Sequence, residues 1–177
     1  MCYSTTHPSP LGLITLASDG DNLVGLWLEG QKYHGCSLPG AMRPKTDIPV
    51  FEAAKKWLDQ YFAGKKPDVS KLRLAPGGNA FRRKVWSVLR EIPYGDTVTY
   101  GGIAKRVAPD GGNMSSQAVG GAVGHNPIAI IIPCHRVVGS NGSLTGYAGG
   151  IQTKIKLLAL EGVDMSRLFV PKKGTAL

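Results

Sequence analysis

The stretch Ile128-Ala129-Ile130-Ile131-Ile132 constrains this 177-residue chain more than any other segment. Five apolar residues in a row stand between Pro127 and Pro133. Proline fixes φ and lacks an N–H, so neither flank can lie inside a helix or a central strand. The run is too short for a helix and too apolar for a surface, so it is expected to be a buried strand or extended segment. Asn126-Pro127 ends the element before it, and Pro133 leads directly into Cys134-His135-Arg136-Val137. A thiol and an imidazole are thereby presented at a fixed point beside the core.

Two textures meet along the chain. Leu11–Leu16 and Leu23–Leu28 are apolar runs joined through Asp19-Gly20-Asp21-Asn22, which predicts a β-hairpin over residues 8–28. Residues 30–48 are rich in Gly, Pro and Lys and read as loop. Phe51, Ala54, Trp57, Leu58 and Tyr61 recur at helical spacing, so a helix is expected over 50–62, stopped at Gly64. Pro76-Gly77-Gly78 closes a linker. The expected division is an N-terminal domain, 1–74, and a C-terminal domain, 75–177.

In the second part Phe81, Val85, Leu89 and Ile92 share one helical face, which Pro93-Tyr94-Gly95 breaks. Thr99 is placed to cap a short helix through Val107. Ala108–Gly112 reads as a turn, and Asn113 as the cap of a helix over 114–123. Two short helices around a tight turn make a helix-turn-helix pattern. Asn141-Gly142 marks a further turn. Residues 151–160 form a last amphipathic helix, closed by Gly162.

Composition excludes some classes. Hydrophobic residues make up 42% of the chain, enough for a packed core and against disorder. No apolar run approaches the roughly 18 residues that a membrane span needs, and Met1-Cys2-Tyr3-Ser4-Thr5 does not open like a secretory signal. Lys and Arg number 21 against 12 Asp and Glu, and the excess is uneven: 9 against 7 in residues 1–78, 12 against 5 in 79–177. A basic second half fits a polyanionic partner such as nucleic acid, and also fits simple solubility. Cys2, Cys36 and Cys134 are odd in number and form no CxxC pair, which suits a reducing cytoplasm with at least one free thiol.

A thiolate is a strong nucleophile, and a neighbouring base favours it. Yet adjacent residues of an extended chain point to opposite faces, so adjacency alone does not bond Cys134 to His135. Taken alone, such a pair is more often structural, and Asn126 before Pro127 reads as a turn residue. The combination carries more. Asn126-Pro127, Pro133-Cys134-His135-Arg136-Val137 and Gly146-Tyr147-Ala148-Gly149-Gly150 together resemble the O6-alkylguanine-DNA alkyltransferase family, whose active-site signature is PCHRV. The likeness extends through Tyr94-Gly95, Tyr100, Ala118-Val119-Gly120 and Leu160-Glu161-Gly162, and more loosely to Ser9–Gly12 and Tyr61-Phe62.

The resemblance implies an α+β fold: a small α/β, RNase H-like N-terminal domain and a winged helix-turn-helix-like C-terminal alkyltransferase domain. It implies transfer of an alkyl group from O6-alkylguanine in double-stranded DNA to Cys134, with O4-alkylthymine as a second candidate lesion. His135 would take the thiol proton through a water, Glu161 would orient the imidazole, and Asn126 would brace the turn. Tyr100 would give a proton or hydrogen bond to the departing guanine. The carbonyls of Val137 and Cys134 would read the guanine amino group. Tyr147 would wall the pocket, with Ala148 and Gly149 at the O6 edge. The product is a thioether, which water does not readily attack, so one turnover is expected, with no cofactor. The acceptor Cys134 argues against a relative that only binds lesions.

The segment Ser116-Gln117-Ala118-Val119-Gly120-Gly121-Ala122 is small-sided for a recognition helix, and only Gln117 can reach far. Such a surface suits the minor groove and sequence-independent binding rather than base reading in the major groove. The resemblance places Ser116, Gln117, Ala118, Gly121 and Arg136 at the DNA, with the target base flipped into the pocket. At the Gln117 position the family carries an arginine that fills the gap in the stack. Gln is shorter and uncharged, so it is expected to hold the gap less firmly. Cys2, His7, His34 and Cys36 do not form a four-ligand zinc spacing, and no metal is expected. The resemblance implies lesion-bearing duplex DNA as the partner and no membrane, and with no coiled seam visible the protein is expected to be a monomer.

Overall fold

The structure, a computed structural model, describes residues 1–109 and 112–172. The chain is α+β and forms two compact units, Met1–Gly78 with Pro127–Ile131, and Asn79–Asn126 with Ile132 onward.

In the first unit, β1 (Cys2–Ser9), β2 (Gly12–Ser18), β3 (Leu23–Leu28) and β4 (Met42–Pro44) make one sheet in the order β3-β2-β1-β4. The expected hairpin is β2 with β3, antiparallel. Its turn is held by the Asp19 carboxylate, which accepts from the N–H groups of Asp21 and Asn22 at 3.0 and 2.7 Å. Two strands add to the expectation. β1 pairs antiparallel with β2, and β4, inside the stretch read as loop, pairs parallel with β1. The sequence of β1, CYSTTHPS, buries only Cys2 and Thr5, so no alternating pattern announces it. Backbone pairing on both sides holds it instead.

Helix α1 (Pro49–Phe62) buries Val50, Phe51, Ala54, Trp57, Leu58 and Tyr61 as one stripe. Pro49 suits the first turn, where a missing N–H costs nothing. Gly64, at φ +75°, ends the helix in a conformation that glycine adopts without strain. The segment Pro127–Ile131 corrects an expectation. It is buried, but only Ile128 bridges, to Leu26 of β3, through Leu26 N–H to Pro127 O (2.8 Å) and Ala129 N–H to Leu26 O (3.0 Å). Beyond it the chain turns, with Ile130 at φ +67°. That region is sterically costly for a β-branched residue, so the surrounding packing holds it there.

In the second unit, α2 (Ala80–Leu89) starts at Asn79, whose side chain accepts from Arg82 N–H at 2.9 Å. It buries Val85, Trp86, Val88 and Leu89. β5 (Val98–Thr99) leads into α3 (Tyr100–Val107), and α4 (Ser116–Gly124) follows. α3 and α4 pack on each other and both on α2. The Trp86 indole N–H donates to Ala122 O at 2.9 Å, pinning α4 to α2. The cap of α4 is Ser115, whose hydroxyl accepts from Gln117 N–H at 3.1 Å, so the helix begins later than expected and Asn113 stays outside it. Of the expected turn over 108–112, Asp110 and Gly111 lie outside the described residues. β6 (Val137–Val138) pairs parallel with β5, and α5 (Ile151–Leu160) closes the unit by packing its Leu158 with Val138 and Leu144. Among the described residues no helix is long and apolar enough to cross a membrane.

Thr99 both ends β5 and caps α3, its hydroxyl accepting from Gly102 N–H at 3.0 Å. Thr99→Ala is expected to lower stability by about 1 kcal/mol in urea denaturation.

Candidate active site

The site is built where the chain leaves α4 and returns at Ile132. Asn126 is buried just past the end of α4. Its side-chain amide donates to Ile132 O at 2.7 Å and to Cys134 Sγ at 3.1 Å. An amide has two N–H groups, so one side chain serves both acceptors and ties the returning chain to the sulfur. Cys134–Arg136 is a single 3-10 turn, closed by Arg136 N–H to Pro133 O at 3.0 Å. Cys134 is 6% exposed. Burial pushes its thiol up, while the Asn126 N–H and the charge of Lys154 act the other way.

His135 is completely buried, with Nε2 2.7 Å from Glu161 Oε1. Burial is the largest influence and holds the imidazole below its ordinary value; the Glu161 hydrogen bond and charge oppose this, and the Arg136 and Lys154 charges reinforce it. A carboxylate can only accept, so Nε2 carries the hydrogen and Nδ1 the lone pair. The ring is thereby a neutral base with a fixed tautomer.

Glu161 sits at the C-cap of α5, where an acidic group opposes the helix dipole. Its partners explain the placement. Arg136 donates Nε to Oε2 at 2.8 Å and Nη2 to Oε1 at 2.9 Å, a two-pronged pair, and Gly95 N–H donates to Oε2 at 3.2 Å. Arg136 also gives Nη1 to Ile92 O at 2.6 Å and lies over the Tyr94 ring, 5.8 Å from its centre. Tyr94 in turn donates to Leu160 O at 3.1 Å. This corrects the expectation that Arg136 faces DNA: the guanidinium is buried and committed to Glu161 and Ile92, because an unpaired buried carboxylate would be far costlier than a paired one.

On the other side of the sulfur, Tyr100 opens α3 and donates its hydroxyl to Thr145 O at 3.0 Å. Burial, with the nearby Cys134, pushes its pKa to about 12, so it stays a protonated donor at neutral pH. Two glycines leave it room. A Cβ at Gly146, which sits at φ +71°, would lie 2.9 Å from the hydroxyl, and one at Gly120 would touch the ring at 3.8 Å. Tyr147 has a buried hydroxyl with no hydrogen-bond partner, and burial raises it well above the usual range. Ala148 and Gly149 are half-buried in the loop ahead of α5. Val137 is buried and follows the turn directly.

Sequence reasoning missed Lys154. It is 0% exposed, and its ammonium donates to Val137 O at 2.5 Å and Thr145 O at 2.9 Å. The signal was available: Ile151, Lys154, Ile155 and Leu158 share one face of α5, so a lysine stands in an apolar stripe. Away from this cluster, Ser116, Gln117, Ala118 and Gly121 are exposed together along α4. Arg136 does not join them. Among the described residues no three His, Cys, Asp or Glu side chains gather as a metal site.

The depressed His135 gives a pH dependence with a definite sign. Below the ordinary histidine value of 6.5, the unfolded chain takes up a proton that the folded chain refuses. The stability is therefore whole above that value and falls as the pH drops through it. Urea denaturation on either side of that pH should show the fall, and His135→Gln should flatten it.

Two family models match the chain: the 6-O-methylguanine DNA methyltransferase ribonuclease-like domain over residues 1–76, and the 6-O-methylguanine DNA methyltransferase DNA binding domain over residues 80–163. The methylated-DNA–protein-cysteine methyltransferase of Haemophilus influenzae is 41% identical over 162 residues, covering 91% of this chain and 87% of its own. That of Methanosarcina acetivorans is 44% identical over 161 residues, covering 90% and 98%. The crystal structure of Mycobacterium tuberculosis OGT in complex with DNA superposes with a TM-score of 0.79 at 41% identity, over 94% of each chain. Taken with the Asn126, Cys134, His135 and Glu161 cluster, these likenesses show that the chain belongs to the 6-O-methylguanine DNA methyltransferase family.

Proposed function

We propose that this protein repairs double-stranded DNA by moving an alkyl group from O6 of guanine to Cys134 Sγ, once per molecule. The observation that carries this is the sulfur itself: it accepts from Asn126 at 3.1 Å on the same short turn that seats His135 against Glu161 at 2.7 Å.

The thiol proton passes through a water to His135 Nδ1, the lone-pair nitrogen. The thiolate attacks the alkyl carbon, the S–C bond forms, and the C–O6 bond breaks with its electron pair on guanine. The hydrogen that Tyr100 now gives to Thr145 O turns to the departing base, and neutralising that charge speeds departure. Solvent then restores the Tyr100 proton while His135 releases the one it took. Glu161 remains an anion throughout, because Arg136 holds both of its oxygens. The Val137 carbonyl reads the guanine amino group, Tyr147 walls the base, and Ala148 and Gly149 border O6. The thioether has no carbon that water attacks readily, so the reaction stops there without a cofactor.

The target atom lies inside the base stack, so the nucleotide must be flipped out. The exposed small-residue face of α4, with Ser116, Gln117, Ala118 and Gly121, suits a minor groove entered without regard to sequence. We assign acceptor and DNA-facing helix to the C-terminal domain, 75–177, apart from the N-terminal domain, 1–74. The protein acts in the cytoplasm, a reading that its three free cysteines support, and as a monomer. O4-alkylthymine is a second candidate lesion.

Incubation with a duplex carrying radiolabelled O6-methylguanine is expected to leave one label per protein, on Cys134, and none on Cys134→Ser. Many turnovers, or label elsewhere, would overturn the reading. Gln117→Arg is expected to tighten binding to undamaged duplex and to steepen the salt dependence by about one unit of log–log slope, read by fluorescence anisotropy across a salt series.

A further inference from the structure

The chemistry above leaves one buried charge unused. A lysine ammonium taken out of water is costly, and a methionine of similar length would fill the same space without that cost. Lys154 nevertheless stands fully buried, with burial lowering its pKa to about 8. Its two acceptors belong to the two backbone segments that shape the site. Val137 O follows the Cys134–Arg136 turn, and Thr145 O lies in the loop ahead of α5. Thr145 O also accepts the Tyr100 hydroxyl, which its two lone pairs allow. The groups that face the ammonium electrostatically are Cys134 and His135 from the turn, with Glu161 and Arg136 beyond His135. Tyr100 from α3 and Tyr147 from the loop are coupled to the same sulfur.

We propose that Lys154 is a positioning residue for alkyl transfer at Cys134, a role that rests on that reaction: its ammonium clamps Val137 O to Thr145 O, keeps the Tyr100 acceptor paired, and supplies the buried cation beside which the thiolate forms. When Tyr100 turns its hydrogen to the guanine, Thr145 O retains the Lys154 bond, so no buried carbonyl is left without a donor. Tyr100 is thus released cheaply. As the thiol proton moves to His135, the negative charge growing on sulfur is attracted by the fixed positive charge of Lys154. Lys154 itself gains and loses no proton in the transfer, and it stays with the protein when the thioether has formed.

The test is single-turnover benzyl transfer from free O6-benzylguanine across a pH series, using the full chain and its Lys154→Met, Lys154→Gln and Lys154→Arg variants. Loss of a cation raises a thiol pKa, so the midpoint of the rising limb is expected to move up by about one unit in the Met and Gln variants. The Arg variant is expected to keep the original midpoint, even if slower. Tyr100→Phe is expected to cost less rate in the Lys154→Gln background than in the native one, because the two side chains share one acceptor. An unmoved midpoint in the Met and Gln variants, an Arg variant displaced as far as they are, or an undiminished Tyr100→Phe effect would each overturn the proposal. Near-UV circular dichroism identifies any variant that fails to fold, and the remaining variants then decide. Failure of the alkyl-transfer reading itself looks different: the native chain would gain no benzyl mass on Cys134, whatever its variants do.

Discussion

The carboxylate of Glu161 is the hub from which the rest of the site is organised. It accepts from His135, twice from Arg136, and from the backbone of Gly95, with its own side chain out of contact with water. Such an ion is costly to bury and costlier to leave half-paired, where about 3–5 kcal/mol is lost when one partner is removed. Its saturation therefore selects one arrangement of three chain segments: the turn at Cys134, the Tyr94-Gly95 bend and the end of α5. The same saturation fixes the chemistry. A carboxylate held by a guanidinium has little tendency to take a proton from the imidazole, so it orients His135 without relaying charge.

In the proposed reaction the Cys134 sulfur stands between two kinds of assistance, one to the nucleophile and one to the leaving group. In that reading Asn126, His135 and Glu161 prepare the nucleophile, and Tyr100 prepares the leaving group. Their joining element is backbone. Thr145 O touches both Tyr100 and Lys154, and Val137 O touches Lys154 from the turn side. Main-chain carbonyls hold position through the fold rather than through rotamers, so the placement of the Tyr100 hydroxyl and the Lys154 ammonium is set by β6 and the loop before α5.

How far this could be read from the sequence depended on whether packing or pairing made each element. α1 and α5 wrote their apolar stripes plainly and α3 its Thr99 cap, and α5 spans the expected residues. β1 and β4 did not, because backbone hydrogen bonds make them and their side chains carry no alternation. The apolar run after Asn126 declared its burial but not its path, since φ at Ile130 is decided by surroundings that a sequence does not display. Cys134 and His135 are neighbours and Asn126 lies close before them, but Glu161 is distant in sequence from His135 and touches it in space, and only the family likeness linked it to the others beforehand. Arg136 was misjudged because a basic residue next to a nucleophile suggests an anionic ligand, whereas here the anion is internal. Lys154 was overlooked for the converse reason: a lone charge inside an apolar stripe is easily passed over as a tolerated exception.

The composition of α4 sets an order of events in folding. Three of its nine residues, Gly120, Gly121 and Gly124, each weaken a helix by roughly 1 kcal/mol relative to alanine. Its remaining local support is the Ser115 cap, so the isolated segment has little reason to be helical. What holds it is burial of Val119, Ala122 and Val123 and the indole bond from Trp86. The helix must accordingly wait for α2 to exist before it can form. A surface bare enough to lie against a nucleic acid backbone is thereby condensed late, on a template, and would be the first helix to melt when that template loosens.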